Sequence, residues 1–207
     1  MKTKMLVFGL VLAVVTVGYC KSTKLITKWR NLEYKGQRFH KILVIGMSNN
    51  PATRSDFEDA LSLKITRKGI EAVSGNSILL RPDTSNLDLD YLRAQIREHR
   101  VDAVIVSRLV KVDKDVTYIP GENYVVPYGY RSFYGYYGVV YRQVYSPDYL
   151  REDTTVRIET NLYAASAPDG KLVWTGTSDT FNPKSARKVI DSIVKLVVEE
   201  MEKEAIL

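Results

Sequence analysis

Cysteine is almost absent from this 207-residue chain, where Cys20 is the one thiol. A disulfide within the chain, a cysteine pair on a metal and a cysteine nucleophile in the folded part are thereby excluded. Histidine is nearly as scarce. His40 and His99 flank predicted elements without partners at metal-ligand spacing, and both read as surface residues. No G-x-S-x-G elbow, P-loop or dinucleotide fingerprint occurs. The apolar run from Met5 to Val17 is too short to span a bilayer comfortably, which takes about 20 residues. The formal charge of +6 also dissolves on inspection: residues 39–207 hold 22 basic against 23 acidic side chains. A basic groove is the footprint of a nucleic-acid binder, and this balance argues against one. The paired carboxylates Asp56/Asp59 and Asp113/Asp115 sit among charges that read as solvated surface. The expectation is a protein without catalytic residues, metal or cofactor.

What is present begins at the first residue. Lys2 and Lys4 precede the short apolar run, and Gly18-Tyr19-Cys20 ends it, the layout of a secretory signal peptide. Val17, Gly18 and Cys20 resemble the lipobox of bacterial lipoproteins, in which the cysteine thiol takes a diacylglycerol and becomes the first residue after cleavage. Tyr19 stands where that family has Gly, Ala or Ser. Plain secretion with cleavage after Gly18, and an uncleaved anchor, are the alternatives. The expected organisation is a signal peptide over 1–19, the lipidated Cys20 with a basic tether over 20–38, and one globular domain over 39–207.

Residues 21–38 carry Lys21, Lys24, Lys28, Arg30, Lys35 and Arg38 against Glu33 alone. Near anionic head groups each such cation is worth about 1 kcal/mol, and one acylated cysteine plus a basic patch would make a two-signal anchor. A solvated linker is the alternative. Lys21 stands where inner-membrane retention of a lipoprotein would favour Asp, so the resemblance implies an outer-membrane protein facing the periplasm.

The domain reads as α/β. Lys41 to Gly46 is a continuous apolar run, the mark of a strand buried on both faces. Asn50-Pro51 opens a helix that carries Phe57, Ala60, Leu61 and Ile65 and ends at Gly69. A weaker strand is expected over Ile70–Leu80, a helix on Leu89, Leu92 and Ile96, and a second buried strand over Val101–Val106. From Thr154 the pattern alternates, with Val156, Ile158, Thr160, Leu162 and Ala164 on one face. Ala167-Pro168-Asp169-Gly170 is a hairpin turn. Leu172 and Trp174 share a face of the returning strand, which makes Trp174 a core residue. Asn182-Pro183 opens a last helix with an apolar stripe from Ala186 to Met201. The sum is a mixed five-stranded sheet backed by helices, β-α-β-α-β, an insertion, then β-β-α, in strand order 2-1-3-4-5. This element order resembles the small α/β domain of envelope lipoproteins such as the curli secretion component and the penicillin-binding-protein activators. The wording from Glu159 to Tyr163 and from Gly170 to Gly176 resembles uncharacterised bacterial lipoprotein families. The resemblance implies no catalytic residue.

The insertion, residues 113–153, holds ten of the fourteen tyrosines. Tyrosine offers flat apolar area and a hydroxyl at low entropic cost, which is why binding surfaces use it. Tyr128, Tyr130, Phe133, Tyr134, Tyr136, Tyr137 and Tyr141 are the candidate partner-binding residues. Val139–Tyr145 could add an edge strand, so part of the insertion would be an extended hairpin. Another envelope protein or a second copy is the expected partner. A stacked glycan or cell-wall polymer, an envelope hydrolase, and a passive low-complexity insertion are the alternatives. Fatty-acid-analogue labelling is expected to mark the wild-type protein and not Cys20→Ser. Equal labelling of the two, or a mature chain that starts at Tyr19, would remove the anchor from this account.

Overall fold

The computed structural model describes residues 22–34, 38–79, 89–119, 149–165 and 170–207. The elements in chain order are β1 (Thr23–Arg30), β2 (Lys41–Met47), α1 (Pro51–Thr66), β3 (Glu71–Ser74), α2 (Gly75–Ile78), α3 (Leu89–Glu98), β4 (Ala103–Ile119), β5 (Tyr149–Ala164), β6 (Lys171–Phe181) and α4 (Ala186–Lys203). They form one six-stranded mixed sheet in the order β1-β6-β5-β4-β2-β3. The α/β architecture and the order of the five anticipated strands agree with the sequence reading. The sixth strand, β1, is an addition.

Two apolar layers flank the sheet. On one face α1 and α4 bury Ile42, Val44, Ala103, Ile105, Leu162 and Trp174. On the other face α3 and the residues around α2 cover Leu43, Ile45 and Val104. β2 is therefore apolar on both sides, as a central parallel strand must be. The Asn50 side chain caps α1 by accepting the Thr53 N–H at 3.0 Å, with Pro51 in the first helical position.

Four expectations are corrected. Residues 23–30, read as part of a tether, pair antiparallel with β6. Leu25 packs near Gly176, and the Lys28 ammonium reaches the carboxylates of Glu204 at 2.7 Å and Glu200 at 3.3 Å. The cations taken for a membrane patch thus include two, Lys28 and Arg30, engaged by the acidic end of α4. The strand expected over Ile70–Leu80 stops at Ser74, because the Glu58 carboxylate accepts the Asn76 N–H at 2.7 Å and turns the chain into α2. The insertion is shorter than 113–153, since β4 runs on to Ile119 and β5 starts at Tyr149, and Asp113↔Thr155 through Ile119↔Tyr149 are paired strand. Finally, Ser185 and not Asn182 caps α4. Asn182, with φ of 43°, instead accepts the Thr154 N–H at 2.6 Å and donates to Asp153 at 2.7 Å. Residues 166–169, most of the anticipated Pro-Asp-Gly turn, lie outside the described residues.

Trp174 is fully buried, as anticipated. The expectation that Leu172 shares its face is corrected as well: a bulge between Leu162 and Tyr163 places Trp174 opposite Leu162 but Leu172 opposite Tyr163, on the other face, and Val173 is buried with Trp174 in the core. The indole folds over Gly176, where an added Cβ would stand 2.4 Å from the ring. Trp174→Ala is expected to cost about 3–5 kcal/mol, and Gly176→Ala to destabilise by displacing the same ring. Urea unfolding checks both; an unchanged midpoint for either would show that the ring does not hold this corner of the core.

Candidate functional site

The helices stop covering the sheet before its longest strands end. β2 gives β4 its last rung at Met47↔Arg108, whereas β4 and β5 continue together to Ile119↔Tyr149. The result is a two-stranded arm that projects past the core. A bulge at Val110 marks its base.

Alternation gives the arm two unlike faces. On the side of α1 and α4 lie Leu109, Val112 and Val116 from β4, and Leu150, Val156 and Ile158 from β5. Toward the tip Val116 is 62 % and Leu150 69 % exposed. The opposite face is a lattice of charges. Arg157 donates to both carboxylate oxygens of Asp179 at 2.7 Å. Arg108 grips Glu159 at 3.0 and 3.2 Å, and Asn161 donates to Glu159 at 2.9 Å. Lys111 meets Asp113 at 2.5 Å. The Arg157 guanidinium holds the buried Asp179 carboxyl below its ordinary range, and Arg108 does the same for Glu159. As far as Asp113 this face is neutralised by its own pairs, and it is suited to water.

At the base of the apolar face a groove of about 380 Å³ opens between the N-terminal turns of α1 and α4. Leu109, Val112, Val156 and Ile158 form its floor, and Phe57, Val189 and Ile190 its walls. It lies at Gly46-Met47-Ser48, at the carboxyl end of the first parallel strand, the usual place for a crevice in an α/β sheet. Gly46 admits α1 closely, since a Cβ there would sit 3.2 Å from the Phe57 ring. Beneath it, the fully buried Glu58 carboxylate accepts the Gly46 N–H at 2.8 Å and the Ser74 hydroxyl at 3.3 Å. Sequence reasoning missed Glu58, because an acidic residue at helical spacing ordinarily signals a wet face.

The candidate residues anticipated from sequence fall elsewhere. Cys20, Tyr128, Tyr130, Phe133, Tyr134, Tyr136, Tyr137 and Tyr141 lie outside the described residues. The arm leads into the segment that carries the seven aromatic residues. The His40 ring is exposed and 3.2 Å from Asp102; His99 is half-buried. Asp56 is 3.6 Å from Arg187, and Asp59 accepts the Ser55 hydroxyl. Among the described residues no three His, Cys, Asp or Glu side chains converge on a metal-sized site.

No protein-family model and no curated protein matches the sequence. Among solved structures, the chain is similar to the PelC dodecamer from Paraburkholderia phytofirmans, at 10 % identity over 85 % of this chain and 94 % of that one, with a TM-score of 0.45. It is also similar to lipoprotein GNA1162 from Neisseria meningitidis, at 13 % identity over 79 % of this chain and 99 % of that one, with a TM-score of 0.40. Neither similarity bears on a residue of the arm or groove.

The Arg157–Asp179 pair makes a pH prediction. A carboxyl whose folded value is depressed stabilises fully above its ordinary range, and the contribution disappears as pH falls through the depressed value. Asp179→Asn is therefore expected to cost about 2 kcal/mol at pH 7, with the deficit closing on acidification. Urea midpoints of the two proteins as a function of pH check this. A deficit independent of pH would mean that packing, not charge, accounts for it.

Proposed function

We propose that this chain is a non-catalytic binding or assembly protein of the bacterial envelope, held at a membrane by a lipid on Cys20. Its contacts are made through the β4–β5 arm and the tyrosine-rich segment between the two strands. The observation that carries this reading is the apolar stripe of the arm. Leu109, Val112, Val116 and Leu150 are each about half exposed or more, share one face, and have no helix packed over them among the described residues. The Lys114–Glu152 ion pair, at 2.8 Å, crosses the stripe between Val112 and Val116, and exposed apolar side chains grouped on either side of it mark a place where another molecule sits. The charged face of the same arm is satisfied by its own ion pairs as far as Asp113, whereas Asp115 beyond it has none among the described residues. The outer-membrane address rests on Lys21 after the cysteine, and the envelope itself on the signal-like start of the chain.

Crosslinking in intact envelopes tests the reading. Wild-type protein is expected to give discrete crosslinked species. These should vanish in a Val116→Lys/Leu150→Lys variant, and in a chain whose residues 121–147 are replaced by a short Gly-Ser linker. Exposed positions tolerate substitution to within about 0.5 kcal/mol, and loop closure depends weakly on length, so both variants should keep the wild-type unfolding midpoint. Folded variants that retain every crosslink would overturn the arm as the contact surface.

A further inference from the structure

Among the described residues the outer half of β4 has an unpaired edge. From Leu109 to Ile119 it pairs with β5 on one side, and among the described residues no backbone group pairs with it on the other. Such an edge is a template for a further strand. The sheet's far edge, β1, is guarded by Lys24, Lys28, Arg30 and a bulge near Ile26; the other margin is the four-residue β3. The arm carries no proline between Leu109 and Ile119, and its one bulge lies at the base.

The charges on this edge say which strand fits. Asp115 stands directly opposite Asp153 on β5, and the cation near Asp153 is Arg151, at 2.8 Å. Asp115 is exposed beside a like charge and, among the described residues, makes no ion pair. Lys111 likewise stands opposite Arg157, whose guanidinium is committed to Asp179. One end of the segment therefore has a cation beside a cation, and the other an anion beside an anion. Laid antiparallel on itself about Asp113, the segment brings each into register with its opposite.

We propose that the occupant of this edge is a second copy of the chain, β4 against β4, antiparallel about a two-fold axis at Asp113, with Lys111 of each copy opposite Asp115 of the other. This rests on the reading of the arm as the contact surface and names its partner. The pairing is regular from Lys111 to Asp115 and ends at the Val110 bulge, short of Arg108, where β2 still occupies the edge. On the apolar face Val116 then stands opposite the bulged Val110 of the partner, and Lys114, ion-paired with Glu152 on its own β5 at 2.8 Å, opposite the partner's Val112. The two Asp113 carboxylates approach at the axis, each held by its own Lys111. A register shifted by two residues would instead set Asp113 against the partner's Asp115 and Lys114 against the partner's Lys114. Like charges directly opposite are unfavourable across strands, which disfavours that shift. The shift the other way sets Lys111 opposite the partner's Asp113 but leaves Asp115 opposite the partner's Leu109, so the proposed register is the one that also gives Asp115 a cation.

Sedimentation of the full chain in detergent, as wild type, Lys111→Glu, Asp115→Lys and the double variant, tests this. Each single variant places two like-charge pairs across the axis and is expected to weaken self-association about tenfold, or about 1.4 kcal/mol. The double variant restores unlike pairs and is expected to return to the wild-type constant. Tighter association of Asp115→Lys would overturn the register, since the shifted pairing is the one that change relieves. Single variants that associate like wild type would overturn edge pairing. A wild-type chain that stays monomeric while Val116→Lys/Leu150→Lys still loses a crosslinked envelope protein would overturn the second copy as occupant and leave the arm reading standing. Loss of neither would overturn both.

Discussion

Everything in this molecule hangs on the ladder between β4 and β5, which runs from Ala103↔Ala164 to Ile119↔Tyr149. Its inner half is core: Ile105 and Leu162 are fully buried, and the Ser107 and Thr160 hydroxyls meet at 2.8 Å between the same strands. Its outer half is surface. A two-stranded ribbon alone is marginal in water, so the arm depends on the buried rungs that continue it and on β6, which supports β5 out to Thr155↔Phe181. The inner rungs thus stabilise the fold and also hold the outer rungs in position for a partner. Side-chain alternation then passes through the boundary unchanged except at the Val110 bulge, so the face that is core near Ile158 becomes the apolar stripe near Val116.

A second dependence ties the start of the described chain to its end. β1 is an edge strand whose cations face α4, and Glu200 and Glu204 meet them. Glu204 is held below its ordinary range chiefly by its hydrogen bond from Lys28. Both partners are partly exposed, and such pairs contribute modestly to stability. Their consequence is positional: they fix β1 against β6 and use cations that would otherwise be free for anionic lipid.

Much of this was legible in the sequence where burial is decided by pattern. The continuous run Ile42–Ile45 announced a central strand, alternation from Val156 to Ala164 a half-covered one, and the stripe on α4 a core-facing helix. Trp174 is buried as expected, but not by the alternation with Leu172 that suggested it: the bulge turns Leu172 to the other face and buries Val173 instead. Legibility failed where the deciding contact is distant. Glu58 is an acidic residue whose partners, Gly46 and Ser74, lie on two strands. Lys28 and Arg30 looked like tether until glutamates some 170 residues away neutralised them. The strand character of Asp113–Ile119 was hidden for another reason. Its alternation sets polar residues on one face and Val112, Val116 and Tyr118, with Lys114 among them, on the other, and among the described residues no helix covers that second face to demand an unbroken apolar pattern.

Hydrogen exchange of the β4 amides addresses the arm most directly, because it reads the edge itself. In a sheet edge with no neighbour, every second amide of Lys111–Asp115 points at solvent and exchanges rapidly. This account predicts that those amides become protected in assembled or envelope-bound protein, and lose the protection when the purified chain is diluted to monomer. Rapid exchange of the same amides in every state, with the buried rungs Ala103–Ile105 protected throughout, would show that nothing docks there and would contradict it.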